Sequence, residues 1–142
     1  AHLRAGAAVP SGPWLVGVEP DSAACVLAAV DAGHIVEVPG PHRSIMAGLN
    51  CGTASMLALP AVMAGFDAFV TIDDDRCRTA LVALAGAGLD VGECGAAGVG
   101  ALAEIRDVYA HVVAPGATAL VIATEGVTDP VNFEAIVGRP PH

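Results

Sequence analysis

Apolar residues along the chain gather into short runs, and these alternate with longer stretches of helical period. WLVGVE (Trp14–Glu19), DAFVTID (Asp67–Asp73) and ATALVIAT (Ala117–Thr124) are compact runs bounded by Pro, Gly or acidic residues. That is the pattern of strands. The third is apolar almost throughout and is predicted to be a central strand buried on both faces. HIVEV (His34–Val38) is a shorter strand reading. Between them, Pro20–Gly33 reads as a helix, with Pro20 and Asp21 at its start and Gly33 at its end. Thr53–Gly65 reads as a second helix, capped by Thr53 or Ser55, in which Pro60 must kink the chain or begin a new turn. Asp73–Gly88, Gly92–Val112 and the short Phe133–Gly138 complete the helices, and His2–Ala8 reads as a helix end cut off by VPSGP. Pro39–Gly52 shows no clear period and is expected to be a loop. Strand and helix in alternation predict an α/β fold: three layers, a largely parallel sheet with helices on both faces.

Composition supports this picture. The chain has 142 residues, 54% of them hydrophobic but only 4% aromatic. Ala, Gly and Val therefore fill the interior, and small residues let helices sit close on a sheet. Charged residues make up 15%, below the usual quarter, which implies that some apolar surface meets a partner. A net charge of -9 argues against nucleic acid, whose phosphates need clustered cations. Ser44–Phe66 is uncharged and long enough to cross a bilayer, but Asn50, Thr53, Ser55 and Pro60 interrupt it. A buried loop and helix are expected there rather than a membrane span. Cys25, Cys51, Cys77 and Cys94 show no CxxC spacing, and no signal-peptide pattern is present, so a cytoplasmic protein with unpaired thiols is expected. The first residue is Ala1, and a piece of a longer protein is one reading of that.

Candidate chemistry is sparse. Asp73–Asp75 could bind a metal, but acids in the first turn of a helix are favoured by its dipole, and capping is the expected role. The five histidines are dispersed and match no catalytic or metal motif, so no metal site is expected. VGECGAAGVGALAE (Val91–Glu104) poses a sharper choice. A glycine-rich turn before a helix can cradle phosphate, but GAGLDVG is a poor strand and the GxGxxG spacing is absent. Small residues at Gly95, Gly98 and Gly100 favour close packing instead.

Several stretches, in order, resemble one family: LVGVEPDSAAC, SIMAGLNCGTAS, DAFVTIDDD, GECGAAGVGAL and ALVIATEGVTDP. Together they resemble the C-terminal half of diaminopropionate ammonia-lyase, a relative of threonine dehydratase within the second fold type of pyridoxal-phosphate enzymes. IMAGLNCG and TEGVTDP are the specific parts, and the likeness runs from about Trp14 to Asn132. It implies that residues 1–142 form a single partial domain of a lyase. The implied reaction eliminates ammonia from 2,3-diaminopropionate to give pyruvate, with pyridoxal phosphate as the electron sink. A threonine or serine dehydratase-like lyase is the alternative within the family. A non-catalytic α/β module that binds an anionic ligand or a partner chain is the alternative outside it.

The family's Schiff-base lysine and main phosphate loop lie upstream of the matched region, and this chain contains no lysine, its six basic residues all being arginine. It is thus expected to be inactive alone, with no catalytic residue of its own, and its binding of the cofactor alone is doubtful. The resemblance places Glu93, Cys94 and Gly95 nearest the cofactor, and Met46, Ala47 and Gly48 on a loop lining the site. A hydroxyl at the end of the last strand bonds the ring nitrogen in relatives. Ala123 occupies the aligned position here, so Thr124 is the expected donor. The implied partners are a small amino-acid substrate and either a second copy, as a homodimer, or a missing N-terminal half.

Overall fold

The structure is a computed structural model that describes residues 2–3, 13–108 and 116–142. Its strands are β1 (His2–Leu3), β2 (Val16–Pro20) and β3 (Ala68–Ile72). Its helices are α1 (Cys25–Ala32), α2 (Leu59–Gly65), α3 (Asp74–Gly86), α4 (Glu93–Val108) and α5 (Pro130–Val137). Short 3-10 turns occupy Asp21–Ala23 and Ala47–Leu49. The sheet has the order β1-β3-β2. β2 runs parallel to β3, with Val16 opposite Ala68 and Pro20 opposite Ile72, and β1 lies antiparallel on the other side of β3.

The α/β alternation holds, with helices packed against a sheet that contains a parallel pair. Val70 and Ile72 of β3 join the main core with Cys77, Ala80, Leu81 and Ala85 of α3, Ala96, Ala97 and Ala101 of α4, and Phe133 of α5. Phe69 has the opposite parity and stacks on Phe66, with ring centroids 5.7 Å apart. Gly17 on β2 makes room for that ring, since a Cβ there would come within 2.6 Å of it. A second, smaller cluster joins α1 to α2 through Ala29, Leu59 and Ala54.

Helix starts follow local chemistry. Asp73 caps α3 by accepting from Arg76 N at 2.8 Å, the capping role expected of this acidic run. α1 has no side-chain cap of its own; Glu19, at the end of β2, reaches across and accepts from Val26 N and Leu27 N, both at 2.8 Å. Burial pushes the Glu19 carboxyl above its usual range, while those two backbone bonds pull it down. One carboxylate thereby fixes the angle at which α1 leaves the sheet. At the far end of the fold, Arg139 grips Asp90 with two nitrogens, at 2.7 and 3.0 Å, and donates to Ala85 O, tying the end of α5 to the end of α3.

Four sequence expectations fail. Ala117–Thr124 forms no strand: it pairs with no described residue, and Leu120 and Ile122 stand 88% and 75% exposed. Its apolar character signals a need for burial, and no described strand lies beside it to meet that need. His2–Leu3 is a strand rather than a helix, because β3 offers it an edge; residues 4–8 of that reading lie outside the described residues. α2 begins at Leu59 rather than Thr53, since Pro60 fits only the first turn, and Thr53 instead forms a bridge with Glu37. That bridge is all that remains of the predicted His34–Val38 strand. Ser44–Phe66 is loop followed by α2, and no helix among the described residues is long and apolar enough to cross a membrane.

Candidate functional site

The residues singled out in the sequence converge around the start of α4. Glu93 opens the helix and is 6% exposed. Asn132, in the first turn of α5, donates its side-chain amide to Glu93 Oε1, and the main-chain oxygen of Glu93 accepts from the Cys77 thiol at 3.3 Å. Burial, followed by the negative charges of Glu93 and Asp74, pushes Cys77 up to about 12, so this thiol is a small core group rather than a nucleophile.

Cys94 follows. Its Sγ lies beside the backbone N–H of Gly48 and the Glu125 carboxylate, while Leu49 N donates to Met46 O at 2.9 Å. Its pKa is raised, first by burial and then by Glu125, while the Gly48 and Leu49 N–H groups oppose the shift. The fit is close: a Cβ on Gly48 would stand 3.1 Å from Cys94 Sγ.

The loop that carries Gly48 is fastened at its base as well. Asp74 Oδ1 accepts from Ser44 Oγ at 2.7 Å and from Ile45 N at 3.1 Å. Asn50 closes a ring by exchanging bonds with the Ser44 backbone. Met46 is fully buried in the main core, whereas Ala47 and Gly48 are exposed.

The glycines of α4 serve packing. On one side a Cβ on Gly100 would meet Ile72 Cδ1 at 3.0 Å; on the other, Gly98 faces Val121 at 2.6 Å and Gly95 faces the main-chain oxygen of Glu125 at 2.8 Å. Gly92 leaves room for the Glu125 carboxylate and donates its N–H to Glu125 O at 3.4 Å. The helix is therefore held between β3 and the extended segment 121–125, close enough on both sides that side chains would not fit. This is the packing alternative expected for the glycine-rich turn. It also decides facing: Val121, Ala123 and Glu125 share the parity that meets α4, while Thr124 is exposed and is not brought to Glu93 and Cys94. Glu125 and Asn132 were not singled out in the sequence. The parity of an extended TEG segment could have found Glu125; nothing local marks Asn132.

Comparison with known proteins places this arrangement. The family model described as pyridoxal-phosphate dependent enzyme matches residues 2–125. The chain belongs to this family. It is 34% identical to the diaminopropionate ammonia-lyase of Salmonella typhimurium over 88% of its own length and 35% of the relative's. The corresponding enzyme of Escherichia coli K12 is 33% identical over 88% of this chain and 34% of its own. The chain thus spans about a third of the length of the curated relatives it matches. The crystal structure of the Escherichia coli diaminopropionate ammonia-lyase, in complex with an aminoacrylate–PLP azomethine reaction intermediate, superposes with a TM-score of 0.74. It is 29% identical and covers 86% of this chain and 33% of that one. The processed form of threonine deaminase isoform 2 from Solanum lycopersicum gives 0.76 over 87% of this chain and 35% of that one at 18% identity, a likeness of fold alone.

The family's cofactor is pyridoxal phosphate, which needs an amine for its aldehyde and donors for its phosphate. The described residues do not fit the whole group. The chain has no lysine. At the start of α4 the N–H groups of Gly92 and Cys94 are already engaged by Glu125, and two carboxylates, Glu93 and Glu125, stand where a phosphate would need positive charge. Glu93, Cys94, Ala47 and Gly48 could form one wall of a site for that group.

Among the described residues no cluster of three or more His, Cys, Asp or Glu could hold a metal. A groove between α3 and α5, lined by Arg78, Thr79, Val82, Asn132 and Ile136, contains none of the expected site residues.

Proposed function

We propose that this chain is one portion of a pyridoxal-phosphate-dependent ammonia-lyase that eliminates ammonia from 2,3-diaminopropionate and yields pyruvate. Sequence outside these 142 residues would supply the Schiff-base lysine and the phosphate cradle. The observation that carries the reading is the joint likeness, in sequence and in fold, to a diaminopropionate ammonia-lyase, 29% identical with a TM-score of 0.74. In this role the chain contributes the wall formed by the Ala47–Leu49 turn and the start of α4. Met46 serves by packing that turn on the core, Gly95 by letting the 121–125 segment approach, and Thr124 by offering a hydroxyl to the ring nitrogen from the exposed side of that segment. The exposed Leu120 and Ile122 favour burial against the remainder of the lyase or against a second copy.

The test uses the protein encoded by the whole reading frame that contains this chain. Release of the 2-oxo acid is measured with 2,3-diaminopropionate, L-threonine and L-serine. Faster turnover of 2,3-diaminopropionate than of the hydroxy amino acids is expected. Release of 2-oxobutyrate from threonine, or of pyruvate from serine, at a higher rate would make the protein a dehydratase. Absence of turnover with all three would favour a non-catalytic module.

A further inference from the structure

We propose that Glu125 and Cys94 are positioning residues that clamp the Ala47–Leu49 turn against the start of α4 and so hold one wall of the reaction site rigid. Three segments that are distant in sequence meet at this pair. Glu125 Oε1 accepts from Cys94 N at 3.3 Å, and Glu125 O accepts from Gly92 N at 3.4 Å. Glu125 Oε2 lies 3.9 Å from where a Gly48 Cβ would stand, and Cys94 Sγ lies 3.1 Å from the same point. The Cys94 sulfur thus sits against Gly48 and beside the Glu125 carboxylate, and the turn itself is closed by Leu49 N donating to Met46 O at 2.9 Å.

Gly92 lacks the Cβ that would collide with the Glu125 carboxylate, Gly48 the one that would press on Cys94 Sγ, and Gly95 the one that would meet the Glu125 main-chain oxygen. Two glycines around one carboxylate and one thiol, with a third under the Glu125 backbone, amount to a shaped seat. Packing alone explains Gly98, which meets only Val121, but it does not explain a carboxylate placed at the junction. A carboxylate there accepts the Cys94 N–H at the helix start, where the dipole favours negative charge. Its negative charge also raises the Cys94 pKa and so favours the thiol beside it.

Asp74 fixes the base of the same loop through Ser44 and Ile45. The turn is thus held at both ends, while Ala47 and Gly48 remain exposed between the two attachments. Walls of reaction sites need such support, since a displacement of about 1 Å costs on the order of 100-fold in rate. The proposal depends on the lyase reading above only for its effect on turnover; the clamp itself stands on the geometry.

Two measurements on the 142-residue chain test the clamp. Amide hydrogen exchange at Gly48 is expected to rise about 10-fold or more in Cys94→Ala and to stay slow in Cys94→Ser, which keeps an acceptor, with Leu49, whose N–H donates to Met46 O, as the comparison. Iodoacetamide labelling read residue by residue is expected to be faster at Cys94 in Glu125→Gln, with the exposed Cys51 as internal reference. Unchanged exchange in Cys94→Ala, or unchanged labelling in Glu125→Gln, would overturn the clamp.

A third measurement uses the protein from the whole reading frame. There Cys94→Ala is expected to raise KM for 2,3-diaminopropionate about 10-fold while Cys94→Ser restores it. Altered exchange with unaltered KM would overturn the assignment of the turn to the reaction site. Loss of the lyase reading itself would show as no turnover in the unsubstituted protein, with the exchange results unaffected.

Discussion

Asn132 donates its side-chain amide to Glu93 across 39 residues of sequence, joining the first turn of α5 to the first residue of α4. Glu93 is 6% exposed, and a buried carboxylate without donors is costly. Asn132→Ala is therefore expected to destabilise the chain by about 1–3 kcal/mol. Asn132→Asp should cost more, because it sets a second carboxylate against the first. Urea unfolding at neutral pH measures both. Midpoints equal to that of the unsubstituted chain would mean that water replaces the amide freely.

Two glycine substitutions should act in opposite directions. A Cβ at Gly95 meets a main-chain oxygen at 2.8 Å, which cannot move aside without shifting the Glu125 segment, so Gly95→Ala is expected to cost about 1–3 kcal/mol. Gly86, the last residue of α3, has open space at that position, and Gly86→Ala should be neutral or stabilising by up to about 1 kcal/mol. Thermal melts of the two variants side by side give the comparison.

Asp90 reports the state of the α3–α5 junction. Hydrogen bonding from Arg139, then from the His142 N–H, lowers its carboxyl from 3.8 to about 2. A carboxyl depressed on folding contributes stability that is fully present above its unfolded value and is lost as the pH falls through the folded one. The contribution should thus disappear between about pH 4 and pH 2. Carbon-detected NMR titration is expected to place the Asp90 midpoint near 2 in the unsubstituted chain. In Arg139→Gln the midpoint should return toward the ordinary aspartate range, and a midpoint that stays low there would assign the shift to the backbone instead.

Without a lysine, no side chain within these 142 residues can form an imine with pyridoxal phosphate. Mixing the chain with the cofactor, reducing with borohydride and mapping the adducts by mass spectrometry should find modification at the terminal amine of Ala1 alone. An adduct on any side chain contradicts this expectation.

The parts of the fold legible in the sequence were those whose signals are local. β2 and β3 stand out because Pro20 and Asp73 bound apolar runs, and Asp73 marks the start of α3 by the same chemistry that caps it. Ala117–Thr124 misled because an apolar run encodes a demand for burial, whereas a strand also needs a neighbour. His2–Leu3 was misread for the converse reason: two residues become a strand only because β3 offers an edge. At the site, Glu93, Cys94 and Gly48 were named from the family likeness, and the fold brings them together. Glu125 and Asn132 escaped notice because their contacts lie 31 and 39 residues away, beyond any periodicity.

The parallel pairing of β2 with β3 has a kinetic consequence. Leu15 N donates to Asp67 at a separation of 52 residues, so the sheet forms only after the chain closes a long loop. The entropy of that closure is on the order of 3–4 kcal/mol and must be met before the strand contacts repay it. α3 and α4 are consecutive and share the main core with β3, so they can assemble first around Leu81, Ala97 and Ile72. β2 then docks late, and with it α1, which hangs from β2 through Glu19. Stopped-flow measurements should accordingly show Leu81→Ala slowing refolding and Val18→Ala mainly hastening unfolding. The half of the molecule that presents the loop and the start of α4 would be in place before the rest of its own sheet.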